Sequence, residues 1–359
     1  MSRSVRIIAE AGVNHNGDRK LAMALVEAAA ASGADFVKFQ SFDPCALVTP
    51  DAAKAPYQRA GADDAENQEP MLNRLVLSEP DQGAVSGYCR DCGIGFLSTP
   101  FDLHSLAFLV DRLNVPGLKL SSGSLTNGPL LLAAARTGLP LILSTGMATM
   151  DEISEALDLL AFGWLSRGEP DGRTVIRAAG DSPEGRDSLK RNVTLLHCTT
   201  AYPAPFDQVN LRAMDAMRKA FGLRIGYSDH TEGIAVSIAA AALGAVVIEK
   251  HLTLDRSLPG PDHAASVEPH EMKALVRGVR LVSQALGSAA KSPVPAEAAN
   301  SRVVRQSLVT LEPVAAGAVF TRENLGVKRP GTGVSPMEYW NRLGTPATRD
   351  YTANELIDP

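Results

Sequence analysis

Short β-branched, apolar runs alternate with longer helix-period segments along most of this chain. A strand, a helix and a second strand in succession fold compactly as a right-handed crossover onto a parallel sheet, so few architectures remain open. Strands are expected over Val5–Ala11 and Phe36–Phe42, with a helix over Asp18–Ser32 between them. A helical stretch around Leu72–Cys92 precedes strand Gly95–Thr99, helix Ser105–Leu113, strand Leu118–Ser121, helix Pro129–Thr137, strand Leu139–Ser144 and helix Met150–Phe162. Strands Val193–Cys198, Arg224–Tyr227 and Val246–His251, with helices Leu211–Phe221, Ile234–Leu243 and Pro269–Leu286, complete eight units. Eight units in roughly 280 residues match the count and size of a (β/α)8 TIM barrel in the α/β class. A doubly wound sheet is the rival. It is disfavoured because the first strand runs into Gly12-Val-Asn-His-Asn-Gly17, which lacks the Gly-x-Gly-x-x-Gly spacing of a dinucleotide turn.

The chain is 359 residues long, more than a barrel of about 250 residues requires, so an appendage is expected. Residues 1–287 form the expected barrel, 288–304 a Ser/Ala/Pro/Lys linker, and 305–359 a small C-terminal domain. In that domain Ser307–Leu311 reads as a strand, Arg322–Leu325 as a helix candidate and Lys328–Val334 as a loop. A domain of this size is marginal alone, so docking on the barrel or on a second subunit is expected. Between units five and six, Gly163–Arg191 is polar and reads as an insertion. A net charge of −5 gives a phosphodiester backbone no sequence-independent grip, which argues against nucleic acid as the main partner. The apolar start is too short for a signal peptide, and the longest apolar tract, Gly233–Ile248, is too short for a membrane span. A cytoplasmic enzyme is expected. The pair Cys89 and Cys92 has no second pair to complete a metal site and reads as reduced, helix-borne thiols.

In a barrel of this kind the active site lies at the C-terminal strand ends, and nearly every strand here ends in polar residues. These are Glu10 with Asn14-His-Asn16, Lys38 and Gln40, Ser98 and Thr99, Lys119 with Ser121 and Ser122, Ser144, His197 to Thr200 with Tyr202, Ser228 to His230, and Glu249 to His251. Any one of them could be a turn or capping residue; their recurrence at the same end carries the reading. His230 and His251 end neighbouring strands, where two imidazoles could converge on one divalent cation or act as hydrogen-bonded or general-base histidines. Lys38 and Lys119, with hydroxyls at Thr99, Ser122, Ser144 and Ser228, would make an electropositive, donor-rich pocket for a phosphate or carboxylate. Lys38 could instead sit in a buried ion pair with Glu10, or serve as a Schiff-base nucleophile.

The segments Ile8-Ala-Glu-Ala-Gly-Val-Asn-His-Asn-Gly17, Val37-Lys-Phe-Gln40, Phe96-Leu-Ser-Thr-Pro-Phe101, Ser144-Thr-Gly-Met147, Tyr202-Pro-Ala-Pro205, Tyr227-Ser-Asp-His-Thr231, Ile248-Glu-Lys-His251, Gly260-Pro-Asp-His263 and Lys328-Arg-Pro-Gly331 occur in this order. Together they resemble the sialic acid synthases, the N-acetylneuraminate and legionaminate synthase family, nearly from end to end. The resemblance implies a metal-assisted condensation of phosphoenolpyruvate with an N-acetylated mannosamine-type sugar, N-acetylmannosamine or 2,4-diacetamido-2,4,6-trideoxymannose. Its products would be a nine-carbon 2-keto acid and phosphate. It further implies that His230 and His251 hold Mn2+ or another divalent ion such as Mg2+ or Co2+. Lys38, Thr99, Lys119, Ser122, Ser144 and Ser228 would hold phosphoenolpyruvate, and Glu10 and Asp262 would be the acid/base carboxylates. Gln40 and Tyr202 would meet the sugar. The small domain resembles the family's antifreeze-like (SAF, β-clip) domain, whose Arg329 would reach the N-acyl group in a partner's barrel within a domain-swapped homodimer.

Two positions depart from the family pattern. Ser124 stands where a sugar-facing glutamate is usual, and Thr200 where some members place an asparagine against phosphoenolpyruvate. Gly123 and Asn127 look more like the neuraminate and legionaminate branch than the pseudaminate branch. A pseudaminate-type synthase, a Schiff-base aldolase using Lys38 or Lys119, and a catalytically weakened sugar-phosphate binding homologue disabled at Ser124 remain as alternatives.

Overall fold

The alternating runs form eight parallel strands: β1 Arg6–Gly12, β2 Phe36–Ser41, β3 Gly95–Pro100, β4 Leu118–Leu120, β5 Leu141–Ser144, β6 Val193–Cys198, β7 Arg224–Asp229 and β8 Val247–His251. This computed structural model describes residues 5–55, 58 and 67–359, and it separates into two compact units, Met1–Gly287 and Ser288–Pro359. In the first unit β1 pairs in parallel with both β2 and β8, joining the first strand to the last. The hydrogen-bonded order runs β3-β2-β1-β8-β7-β6-β5-β4, and β3 lies against β4, so the sheet curls into a (β/α)8 TIM barrel. No helix among the described residues is long and apolar enough to cross a membrane.

Side chains alternate between the two faces of a strand, and that period sets the layers of the barrel interior. Ile8, Leu97, Leu196 and Val247 are buried together, with Phe36 and Ile142 packed against them. Each fully buried aliphatic side chain is worth roughly 1.5–3 kcal/mol, so this plug closes one end of the barrel firmly. Two residues further along the same strands come Glu10, Thr99, Cys198, Glu249, Lys38 and Ser144. The interior therefore changes from apolar to polar within one strand period. On the outer face Ile7, Val37, Leu120, Leu143, Leu195 and Tyr227 are buried in the larger core shared with the helices.

The helical stretch expected over Leu72–Cys92 is two helices, Gln68–Leu75 and Glu79–Asp91, because Ser78 caps the second by accepting from the Asp81 backbone N–H. Met71, Leu72 and Leu75 of the first pack with Val13 and Phe42 as a separate apolar cluster beside the strand ends. The polar insertion is helical as well: Gly172–Asp181 and Pro183–Asn192 both pack on the preceding helix, Met150–Leu165.

In the second unit β9 Ser307–Thr310 pairs antiparallel with β10 Leu325–Lys328 over a small core of Leu308, Val314, Phe320, Leu325, Val334 and Tyr351. The helix expected at Arg322–Leu325 is absent. Asn324 Oδ1 accepts from the Thr321 N–H and Thr321 Oγ1 accepts from the Glu323 N–H, forming a turn that delivers Leu325 to its pairing with Thr310. The stretch 288–304 is exposed almost throughout and carries a short helix, Ala298–Val304.

Candidate active site

Above the apolar plug, the polar strand ends line one cavity of about 600 Å³. Glu10, Lys38, Gln40, Thr99, Lys119, Ser122, Ser144, Thr200, Tyr202, Ser228, His230, His251 and Asp262 all face it. Arg329 lies in the second unit, exposed in the loop after β10.

Lys38 Nζ stands 2.9 Å from Glu10 Oε2 and 3.8 Å from Glu249 Oε2, and it donates to Thr99 Oγ1 at 3.0 Å. Lys119 Nζ is 3.5 Å from Glu249 Oε1, which also accepts from Ser228 Oγ at 2.9 Å. The buried ion pair thus exists. The donor-rich pocket expected from the sequence is not simply electropositive, because two carboxylates lie among its lysines. Glu249 was visible only as one residue of a strand end. Its position two residues before His251 on the inward face was the available signal.

Burial would raise the Glu249 carboxyl, but Lys119 and Lys38 outweigh it and hold the group down at about 2. Glu10 goes the other way: burial pushes it up to about 7 against the pull of Lys38, and the nearby Glu249 charge adds to the rise. Lys38 stays above its ordinary value despite burial, because Glu10 and Glu249 both face it. Burial lowers Lys119, with Glu249 opposing and Lys38 adding to the fall. Of the two carboxyls, Glu249 is therefore the fixed anion and Glu10 the group able to exchange a proton near neutrality. Asp262, raised by burial to about 6 with Lys38 opposing, is a second such group. Gly12, at φ +54, lets these groups approach: an added Cβ would lie 3.3 Å from Gln40 Nε2, 3.3 Å from Glu10 Oε1 and 3.4 Å from Asp262 Oδ2.

The rings of His230 and His251 lie 5.6 Å apart, with Tyr202 4.2 Å from the first and 5.6 Å from the second. His230 Nδ1 donates to the Thr199 carbonyl at 2.7 Å, which leaves Nε2 with its lone pair. His251 Nδ1 is buried without a hydrogen-bond partner, 3.8 Å from Asp262 Oδ2. Burial lowers both rings, His230 to about 4 and His251 well below its ordinary value, so both are neutral donors. Among the described residues no three His, Cys, Asp or Glu groups converge as a closed cage. Two neutral imidazoles, one with an orphaned nitrogen, fit an open cation site that leaves positions for substrate.

The same cavity has an apolar wall, including Phe42, Leu47, Val48, Met71, Leu72, Leu75 and Phe101, which pack together. Ser124 is buried at the cavity edge, its hydroxyl 3.0 Å from that of Ser121. Cys198 Sγ lies 3.2 Å from Ser122 Oγ, which also accepts from the Gly146 N–H. Cys198 belongs to the His197–Thr200 strand end expected from the sequence, whereas the apolar wall escaped sequence reasoning, since nothing in local composition marks an apolar residue as lining a cavity. Cys89 and Cys92 are free thiols.

A family model described as the NeuB family matches residues 25–291. The N,N'-diacetyllegionaminic acid synthase of Campylobacter jejuni is 46% identical over 354 residues, covering 98% of each chain. The enzyme of that name from Legionella pneumophila is 44% identical, covering 98% of this chain and 92% of its own. Among solved structures, the N-acetylneuraminic acid (sialic acid) synthetase of Leptospira borgpetersenii, crystallised with citrate, is 31% identical with a TM-score of 0.66, covering 83% of this chain and 90% of its own. A barrel with paired lysines and paired histidines in one cavity, matched over nearly its whole length by such relatives, belongs to the NeuB family of sialic acid synthases.

Proposed function

We propose that the protein condenses phosphoenolpyruvate with an N-acylated mannosamine-type sugar to give a nine-carbon 2-keto acid and phosphate. The observation that carries this reading is the joint presence, in one cavity, of two buried lysines and two neutral histidines. Lys38 and Lys119, with Thr99, Ser122, Ser144 and Ser228, would bind the phosphate and carboxylate. The Ser144 hydroxyl is buried without a partner of its own, as a group awaiting a ligand would be. His230 and His251 would hold a divalent cation, Mn2+ in the first instance or Mg2+ or Co2+, which when bound would supply Lewis-acid polarisation of the sugar aldehyde. The phosphoenolpyruvate C3 attacks the aldehyde carbon, water adds at C2, and the C–O bond to phosphate breaks. Glu10 orients that water and takes its proton, while Asp262 meets the aldehyde end.

The apolar wall and the hydroxyl of Ser124 favour 2,4-diacetamido-2,4,6-trideoxymannose over N-acetylmannosamine. A C6 methyl and a second acetyl methyl gain from apolar contact, whereas a C6 hydroxyl would lose a hydrogen-bonding partner there. Both legionaminic acid synthases agree with that preference. A Schiff base at Lys38 is disfavoured because Glu10 and Glu249 both face the amine and keep it charged. The second unit would act as an antifreeze-like domain whose Arg329 reaches the N-acyl group in a partner's barrel, making the active species a domain-swapped homodimer. The test is phosphate release with phosphoenolpyruvate, Mn2+ and a panel holding both sugars. The diacetamido sugar should give the larger kcat/KM, EDTA should abolish turnover, and no release with any aldose would sink the reading.

A further inference from the structure

The sequence carries Asn14-His-Asn16 after β1 and Gly260-Pro-Asp-His263 after β8, and the structure joins them. Asn14 is 1% exposed, and its amide donates one hydrogen to the Leu252 carbonyl and the other to Ser266 Oγ, both at 2.9 Å. Ser266 Oγ in turn donates to the backbone carbonyl of Asp262 at 2.6 Å. A flipped amide would set its oxygen against the Leu252 carbonyl, acceptor against acceptor, so the orientation is fixed.

Asn16 holds the other side of the same loop. Its amide donates to the Pro259 carbonyl at 2.8 Å and lies 3.3 Å from His263 Nε2. With Nε2 accepting, His263 Nδ1 donates to Thr253 Oγ1 at 2.7 Å, and that hydroxyl donates to the Asp255 carbonyl at 3.0 Å. Each donor in this chain of bonds has an acceptor, and Asn14 Oδ1 alone is buried without a partner. Gly260, at φ +150, has no room for a side chain, since a Cβ would lie 2.7 Å from His263 Cδ2 and 2.8 Å from Asn16 Oδ1.

We infer that Asn14 and Asn16 are positioning residues for the condensation: they clasp the segment 252–266 to the end of β1 and thereby fix Asp262 over the cavity. Neither residue is among those lining the cavity, whereas Asp262 is. The clasp locks the carboxylate from behind, through its own backbone carbonyl, so that Oδ2 faces His251 and the Gly12 turn. The lysine layer is built on β2 and β4, outside this loop.

This inference rests on the condensing function proposed above, and the test separates the two. Asn14→Ala and Asn16→Ala in the full-length protein are compared with wild type in three measurements. These are phosphate release with phosphoenolpyruvate, Mn2+ and 2,4-diacetamido-2,4,6-trideoxymannose, calorimetric binding of phosphoenolpyruvate, and hydrogen exchange over 252–266. Misplacing a reacting group by about 1 Å costs up to roughly 100-fold, so kcat should fall roughly 10- to 100-fold. Phosphoenolpyruvate affinity should stay within about twofold, and faster exchange should be confined to that segment. If Asn14→Ala does not fold, Ser266→Ala breaks the same link with little volume change and carries the test. Undiminished kcat, or phosphoenolpyruvate affinity falling in step with it, overturns the inference. Wild-type protein inactive on every sugar overturns the condensing reading instead, and the exchange measurement still decides whether the clasp holds the loop.

Discussion

Two lysines cannot both stay charged in a barrel interior without an anion between them, and Glu249 supplies it, 3.8 Å from Lys38 and 3.5 Å from Lys119. That leaves Glu10 as the carboxyl whose charge is expensive. Its native value of about 7 against an ordinary 4.5 means that between these pH values the folded protein keeps a proton the unfolded chain has released. Stability contributed by this group is therefore present below about pH 4.5 and falls as pH rises to about 7. Glu10→Gln removes the titration. Measured by urea unfolding, the variant should gain on wild type by about 3 kcal/mol between pH 4.5 and pH 8, since each tenfold change in proton affinity is worth about 1.4 kcal/mol. A constant difference across that range would contradict the assignment. The same variant should lose turnover at every pH, since an amide cannot accept the proton.

At the scale of the element, the end of β1 concentrates the constraints, because the register with β2 shifts between Glu10 and Gly12. Gly12→Ala places an L side chain at φ +54 and a methyl among Gln40, Glu10 and Asp262. The backbone conformation should cost about 1–2 kcal/mol in urea unfolding, and the shifted side chains should cost at least roughly tenfold in kcat. Wild-type kinetics in Gly12→Ala would show that these groups tolerate displacement. The strands themselves were legible because a buried parallel strand is an apolar run with a punctuated end. Lys38, Thr99, Glu249 and His251 could be found by counting inward positions. Long-range hydrogen bonds could not: nothing local tells that Asn14 meets Ser266 or that Ser41 Oγ donates to Gln82. The helix expected at Arg322–Leu325 failed because a side-chain turn at Thr321 and Asn324 competes with helical hydrogen bonding, and four residues carry too little periodicity to decide.

At the scale of the whole molecule, the two units have separate cores, Ile7, Leu25 and Leu160 being buried in one and Leu308, Phe320 and Tyr351 in the other. The chain ended after Gly287 should therefore keep the far-UV circular dichroism expected of its barrel and bind phosphoenolpyruvate as the full chain does. If Arg329 serves a partner's sugar site, the shortened enzyme should show a raised KM for the sugar and lower kcat. An unchanged sugar KM would remove that role.

The apolar plug of Ile8, Leu97, Leu196 and Val247 has a consequence for traffic. Lys38 comes two residues beyond Phe36, which packs on that plug. A floor of this kind bars passage from the N-terminal strand ends, so under the proposed reaction anything bound at Lys38 and Lys119 would arrive from the C-terminal side. If the condensation proceeds as proposed, inhibition kinetics with a sugar analogue should show phosphoenolpyruvate binding first, and random-order kinetics would contradict that sequence. The barrel is thus a vessel with a floor and not a tunnel.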